Sequence, residues 1–270
     1  MAVIVRQPAA AGRFYPDEPD VLRAEVNSYT YTPAKRGSAL GCIAPHAGYM
    51  YSGHVAGAVY SELTLPDRCI VMCPNHTGKG QALSIMSNGE WETPLGRVPI
   101  DSELANSLKK KFSFLTEDTE AHRAEHAVEV QLPFLQLCNA NLTFVPIALG
   151  IRQFEILEAL GLAIAEVVAQ QSEPVLIIAS SDMNHYENDL ITRLKDHKAI
   201  DQILALNPRG LFDVVTKEEI SMCGFGPAVA MLTAAKQLGA EHTRLVKYAT
   251  SGDISGDRDM VVGYAGVLVS

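Results

Sequence analysis

Short apolar runs rich in β-branched residues recur along this chain, and most are followed by a turn and a helical pattern. LGCIAP (40–45) precedes the amphipathic SGHVAGAVYSEL (52–63). RCIVMCP (68–74) is the second run. LTFVPIAL (142–149) precedes a helical pattern over 153–170, and PVLIIASS (174–181) precedes another over 189–206. RLVKYAT (244–250) and MVVGYAGVLV (260–269) close the chain. Buried strands alternating with helices predict a mainly parallel sheet covered on both faces. The stretch ALSIMSNGEWETPLGRVPI (82–100) reads instead as an antiparallel hairpin around Asn88-Gly89, which makes the sheet mixed. The expected fold is therefore α/β, a single domain over 1–270. There is no internal repeat, and the only linker-like stretch is the short TYTPAKRGS (30–38).

Composition narrows the partners. With 47% hydrophobic residues in 270, the chain can bury a large core without covalent staples. A net charge of -9 argues against nucleic acid, whose phosphates call for a basic surface. The five cysteines are odd in number and form no CxxC pair, which fits reduced thiols. The opening MAVIVRQPAAAGRFYP turns polar too early for a signal peptide, and no run approaches a membrane helix in length. A cytoplasmic protein without membrane contact is expected.

Ligands of open α/β sheets bind beyond the carboxyl ends of the strands. The residues just past each apolar run are therefore the first candidates for chemistry. Pro45-His46-Ala47-Gly48-Tyr49 succeeds the first run, Pro74-Asn75-His76-Thr77-Gly78 the second, and Ser181-Asp182-Met183-Asn184-His185 the fourth. One histidine at a strand end is ordinarily a surface or loop residue. Three at one sheet edge suggest a metal site, since neutral imidazole suits iron, copper, zinc and nickel. Asp182 could orient such a ligand or be one. Cys223 lies in SMCGFGPAV, a glycine-flanked loop ahead of an amphipathic helix with Pro227 near its start. A thiol near a helix N-terminus has a lowered pKa and favours metal binding. A small buried hydrophobe is the equally weighted alternative. Cys42, Cys69 and Cys73 fall within apolar runs and read as core.

Two other strings could carry chemistry. His122-Arg123-Ala124-Glu125-His126 spells the inverted zincin signature H-x-x-E-H within a helical pattern running to Leu137. On one helix its two histidines would share a face, with Glu125 as general base. SGDISGDRD (251–259) resembles a calcium loop in charge alone and reads as a structural turn. No phosphate loop, dinucleotide fingerprint or serine-nucleophile elbow is present.

Taken in order, RQPAAAGRFYP, APHAGYMYSG, CPNHTG, EHAVEVQLPFL, SSDMNHY, CGFGP and SGDISGD resemble the Memo family. Its bacterial and archaeal members are labelled AmmeMemoRadiSam system protein B. The resemblance runs from about Arg6 to the C-terminus and implies a fold like that of the LigB-type class III extradiol dioxygenases. It implies metal ligands at His46, His76 and Cys223, with His126, Asp182 and His185 as pocket residues beside the metal. His122 is then left as a surface residue. The dioxygenases use two histidines and a carboxylate, whereas a thiol stands here unless Asp182 takes that role. A thiolate is softer and accepts Cu(I) or zinc more readily. The implied function is a non-haem oxidoreductase of dioxygenase type, carrying iron (Fe2+) foremost, with copper or zinc as alternatives. Its substrate would be an unknown small molecule, with AMMECR-type and radical-SAM proteins as further partners. The rival readings are a non-catalytic peptide- or protein-binding module built on the same pocket, and a zinc hydrolase.

Overall fold

The computed structural model describes residues 4–33 and 36–270, so part of the linker-like stretch lies outside the described residues. In its first half the chain forms β1 (Val5–Arg6), α1 (Pro19–Tyr29), β2 (Gly41–Ala44), α2 (Tyr49–Glu62), β3 (Arg68–Pro74), β4 (Leu83–Ile85), β5 (Glu90–Thr93), β6 (Gly96–Pro99), α3 (Ser102–Lys111) and β7 (Thr116–Glu117). Then come α4 (Glu120–Arg123), a 3₁₀ turn (Glu129–Gln131), α5 (Leu132–Cys138), β8 (Thr143–Leu149), α6 (Phe154–Val168), β9 (Val175–Ser180) and β10 (His185–Glu187). The last elements are α7 (Asp189–Leu204), α8 (Pro208–Lys217), α9 (Phe225–Gln237), β11 (Thr243–Thr250), α10 (Gly252–Ser255) and β12 (Val261–Val269).

Among the described residues the main sheet has nine strands, ordered β10-β12-β2-β9-β3-β8-β4-β7, with β11 also paired to β12. Its centre, β2-β9-β3-β8, is parallel. β4 joins β8, and β12 joins β2, in antiparallel register. The expected single-domain mixed sheet is thus the one observed. Strand side chains alternate between two apolar layers, as the two-residue period requires. Ile70 and Met72 of β3 pack with α6 and α9, whereas Cys69, Val71 and Cys73 pack with α2 and α5. The three core cysteines are fully buried, and all five thiols are free. No helix among the described residues is long and apolar enough to cross a membrane.

The 82–100 stretch departs from expectation. β4 belongs to the main sheet, while β5 and β6 form a separate three-stranded sheet with β1. The hairpin turn is Pro94-Leu95, closed by the Thr93–Gly96 pair, not Asn88-Gly89. Gly89 has φ of 105°, and a Cβ there would sit 2.4 Å from the Ile4 carbonyl oxygen. It serves the close approach of β1 rather than a turn. The acidic stretch 251–259 connects β11 to β12 and carries α10. Arg193 and Arg258 each bridge Asp189 at the start of α7 to Asp253 of α10.

Candidate metal centre

β2, β9 and β3 lie side by side and parallel, so their carboxyl ends open on one edge of the sheet. His46 follows β2 after one residue and His76 follows β3 after one residue. Their ring centroids stand 5.1 Å apart at 78°. The third group arrives on the loop before α9. Gly224 packs against the end of β9, its amide donating to Ser181 Oγ at 3.0 Å. A Cβ on Gly224 would meet the Ser180 carbonyl oxygen at 2.3 Å, so only glycine lets this loop come so close. The approach sets Cys223 Sγ 3.1 Å from His46 Nε2. One donor atom each from His46, His76 and Cys223 lies within 4.8 Å of the others.

The surroundings orient these donors. His46 Nδ1 bonds to Ser180 Oγ at 2.9 Å, and His76 Nδ1 bonds to Glu125 Oε1 at 2.8 Å. With both Nδ1 atoms occupied, each imidazole keeps Nε2 for another partner, as metal-binding histidines do. Asp182 is buried, and its Oδ1 accepts the backbone amides of His46 (2.7 Å) and Ala47 (3.2 Å). That places Asp182 as the clasp of the His46 turn and outside the three-donor cluster. Burial, reinforced by neighbouring His76, holds His46 well below the usual imidazole pKa. Burial also disfavours protonated His76, but the Glu125 carboxylate outweighs it and raises that imidazole. For Cys223 the expected lowering is not found. Burial, with Asp182 beside it, pushes the thiol up and outweighs its place ahead of α9. Two imidazoles that each keep Nε2 for another partner, with a thiol beside them, fit a soft or borderline transition metal, whose charge would offset the cost of forming the thiolate.

The donors face a pocket of about 570 Å3 that is also lined by Phe14, His126, Asp182, His185, Tyr186 and Val262. His126 stacks between Phe14 (4.2 Å) and His76 (4.8 Å). Burial and the nearby His46 lower its pKa to about 4. His185 Nδ1 lies 2.9 Å from the Ser221 carbonyl oxygen, which can only accept, so that nitrogen carries the proton and Nε2 is open. Tyr186 stands at the rim with φ of 59°, a backbone region costly for a side chain of this size. His76, Glu125 and His126 form a second close cluster. Its carboxylate already accepts the His76 ring, the His76 amide and the Ala127 amide, which leaves it as an orienting group.

The inverted zincin reading fails on geometry. α4 ends at Arg123, so His122 and His126 do not share a helix face. His122 is fully buried, not on the surface, with its ring against Trp91 at 5.7 Å. All six site residues expected from sequence (His46, His76, His126, Asp182, His185 and Cys223) do line one pocket. Sequence reasoning missed Ser180 and Gln131, and it gave Glu125 the wrong task. A buried glutamine inside the apolar VEVQLPFL was the available signal for Gln131.

Fold and donors together define an α/β protein with a two-histidine, one-cysteine candidate metal site at the carboxyl edge of a parallel sheet core. The chain belongs to the Memo-like protein family, whose sequence profile matches residues 6–268. It is 43% identical to a MEMO1 family protein of Pyrobaculum aerophilum, covering 98% of both chains. It is 42% identical to one of Methanosarcina barkeri, over 98% of this chain and 100% of the relative. A third, from Methanothermobacter thermautotrophicus, is 40% identical over 97% of this chain and 99% of the relative.

Proposed function

We propose that this chain is a non-haem oxidoreductase of dioxygenase type that holds one iron ion on His46, His76 and Cys223 and acts on a small molecule. The observation that carries the reading is the convergence of three donor atoms within 4.8 Å, on loops from three separate parts of the chain, along one pocket. Iron bound there would supply Lewis acidity and one-electron redox chemistry toward O2 and a substrate oxygen. Copper fits the same donors.

The chain's own residues have defined tasks in this reading. Asp182 keeps the His46 turn in place through two amides. His185 donates from Nδ1 to the Ser221 carbonyl, which leaves Nε2 as the ring atom that can exchange a proton with substrate. His126, with its pKa lowered to about 4, is uncharged near neutrality and serves as a second proton acceptor against the stacked Phe14 ring. Phe14, Tyr186 and Val262 give the pocket mainly apolar walls beside the donors.

A second reading is a binding module. Tyr186, which lines the pocket, and Leu190 and Met260, four and two residues along the chain from the lining residues Tyr186 and Val262, all expose large apolar side chains, which suits a protein partner. Elemental analysis of anaerobically purified protein tests the first reading. It should find about one iron per chain, lost in His46→Ala, with O2 uptake in the presence of phenolic substrates. Activity that persists without O2 and peaks with zinc would mark a zinc hydrolase instead. A native protein devoid of iron and copper ends the oxidoreductase reading.

A further inference from the structure

A neutral imidazole carries its proton on either nitrogen, and only one tautomer of His46 leaves Nε2 open toward Cys223. Donor and acceptor accounting around Ser180 selects that form. Three groups surround the Ser180 hydroxyl: the Ala127 carbonyl oxygen at 2.6 Å, Gln131 Nε2 at 2.9 Å and His46 Nδ1 at 2.9 Å. A carbonyl oxygen only accepts, so the single hydroxyl proton goes to Ala127. An amide NH2 only donates, so Gln131 fills one hydroxyl lone pair. The remaining lone pair needs a donor, and His46 must supply it from Nδ1.

The orientation of Gln131 is itself fixed. Its Nε2 also donates to the Pro45 carbonyl at 2.9 Å, and its Oε1 accepts from Tyr60 OH at 2.8 Å. Flipping the amide would set oxygen against the Pro45 carbonyl oxygen and remove the donor to Ser180. Tyr60, Gln131 and Ser180 are fully buried and His46 is nearly so, so no water competes for these bonds.

We propose that Ser180, anchored by Gln131, is a positioning residue that holds His46 in the Nδ1-protonated form with Nε2 aimed at Cys223. The tautomer is a property of the metal-free chain, and its consequence for metal affinity rests on the functional reading above. Both imidazoles then take their orientation from one short segment. Glu125 serves His76, while Ala127 and Gln131 serve His46 through Ser180.

The test is long-range nitrogen–proton NMR on metal-free protein labelled with 15N-histidine, His46 being assigned against His46→Ala. The expected wild-type spectrum has a protonated Nδ1 and an unprotonated Nε2. In Ser180→Ala the two tautomers should mix. Co(II) affinity, measured by chelator competition, should fall about tenfold or more. Ser180→Thr, which keeps the hydroxyl, should restore both readouts, and Gln131→Met should shift both in the direction of Ser180→Ala. An Nε2-protonated His46 in wild type overturns the proposal. So does a Ser180→Ala protein with unchanged spectrum and affinity. Should Ser180→Ala fail to fold, the wild-type spectrum and Gln131→Met decide. A wild-type chain with the expected tautomer but no affinity for Co(II) or Zn(II) would remove the metal reading and leave the tautomer assignment standing.

Discussion

Glu125 grips His76 twice, accepting its ring Nδ1 at 2.8 Å on one oxygen and its backbone amide at 2.7 Å on the other. Burial alone would raise this carboxyl, but the bonds from His76 and the charge of His126 hold it down at about 2. Glu125 is therefore ionised across the physiological range and favours a proton on His76. Glu125→Gln removes that charge while keeping the volume. The His76 titration midpoint, followed by NMR in metal-free protein, should move downward. Metal affinity should fall about 10–100-fold, as for other groups that orient a metal-binding histidine. An unmoved midpoint would contradict the assignment.

Cys223 depends on Gly224. Alanine at 224 would place a Cβ 2.3 Å from a backbone oxygen of β9, which cannot swing away as a side chain could. The loop must shift, at a cost of about 1–3 kcal/mol. The Cys223 sulfur then leaves its place beside His46. Co(II)-loaded wild type should show thiolate-to-metal charge-transfer absorption, which Cys223→Ser should abolish and Gly224→Ala should weaken strongly. Gly226→Ala is the control. Its nearest contact would be a flexible Leu157 methyl at 3.3 Å, and the absorption should be retained.

The parallel core and the convergence of His46, His76 and Asp182 were legible because both follow from chain direction. Strands that run parallel and adjacent must deliver their trailing loops to one edge. Cys223 was legible only as an even choice, since nothing local says that its loop packs on the end of β9. The lowered thiol pKa expected from its place ahead of α9 was wrong because desolvation in the pocket exceeds the effect of a helix end. The 120–138 stretch misled for a related reason. By periodicity the residues from His122 to Leu137 read as one helix, yet the stretch is a short helix, a 3₁₀ turn and a second helix. Glu125, Ala127, Glu129 and Gln131 turn inward there to bond distant partners, and such long-range hydrogen bonds leave no periodic trace. His122 was misplaced at the surface because its burial depends on Trp91 of β5, in the separate small sheet.

The N-terminal segment is tied to the site by one buried ion pair. Arg6 Nη1 lies 2.5 Å from Glu129, while the rest of its guanidinium donates to the carbonyls of His122 and Glu125 and covers the Trp91 ring at 4.0 Å. Glu129 also accepts the amides of Ala9 and Ala10 and the Tyr15 hydroxyl. Arg6→Met would leave that carboxylate buried without its counter-charge. The expected loss is about 3–5 kcal/mol, which lowers Tm by on the order of 10 °C. Calorimetry of metal-free protein checks this. A loss within ~0.5 kcal/mol, as for an ordinary surface change, would contradict it.

Asp196 predicts an unusual pH dependence. It is fully buried, and its carboxyl accepts the Asn184 amide at 2.8 Å and the Tyr248 hydroxyl at 2.7 Å. Burial nevertheless dominates and raises its pKa to about 7, with those two bonds opposing. The unfolded chain titrates this group near ~3.9. Below that pH both states are protonated, and Asp196 has no effect on the balance. As pH rises from about 4 to about 7, only the unfolded state ionises, so folding becomes steadily less favourable. Above that range both states are ionised and the penalty is constant, on the order of 4 kcal/mol at most. Asp196→Asn removes the titration and keeps the shape. The variant should therefore gain on wild type as pH rises from 4.5 to 7.5, roughly the window between the two pKa values. Urea unfolding at both pH values reads the difference directly. A variant-minus-wild-type stability that stays flat, or falls with pH, would mean that Asp196 ionises inside the folded protein as readily as outside it.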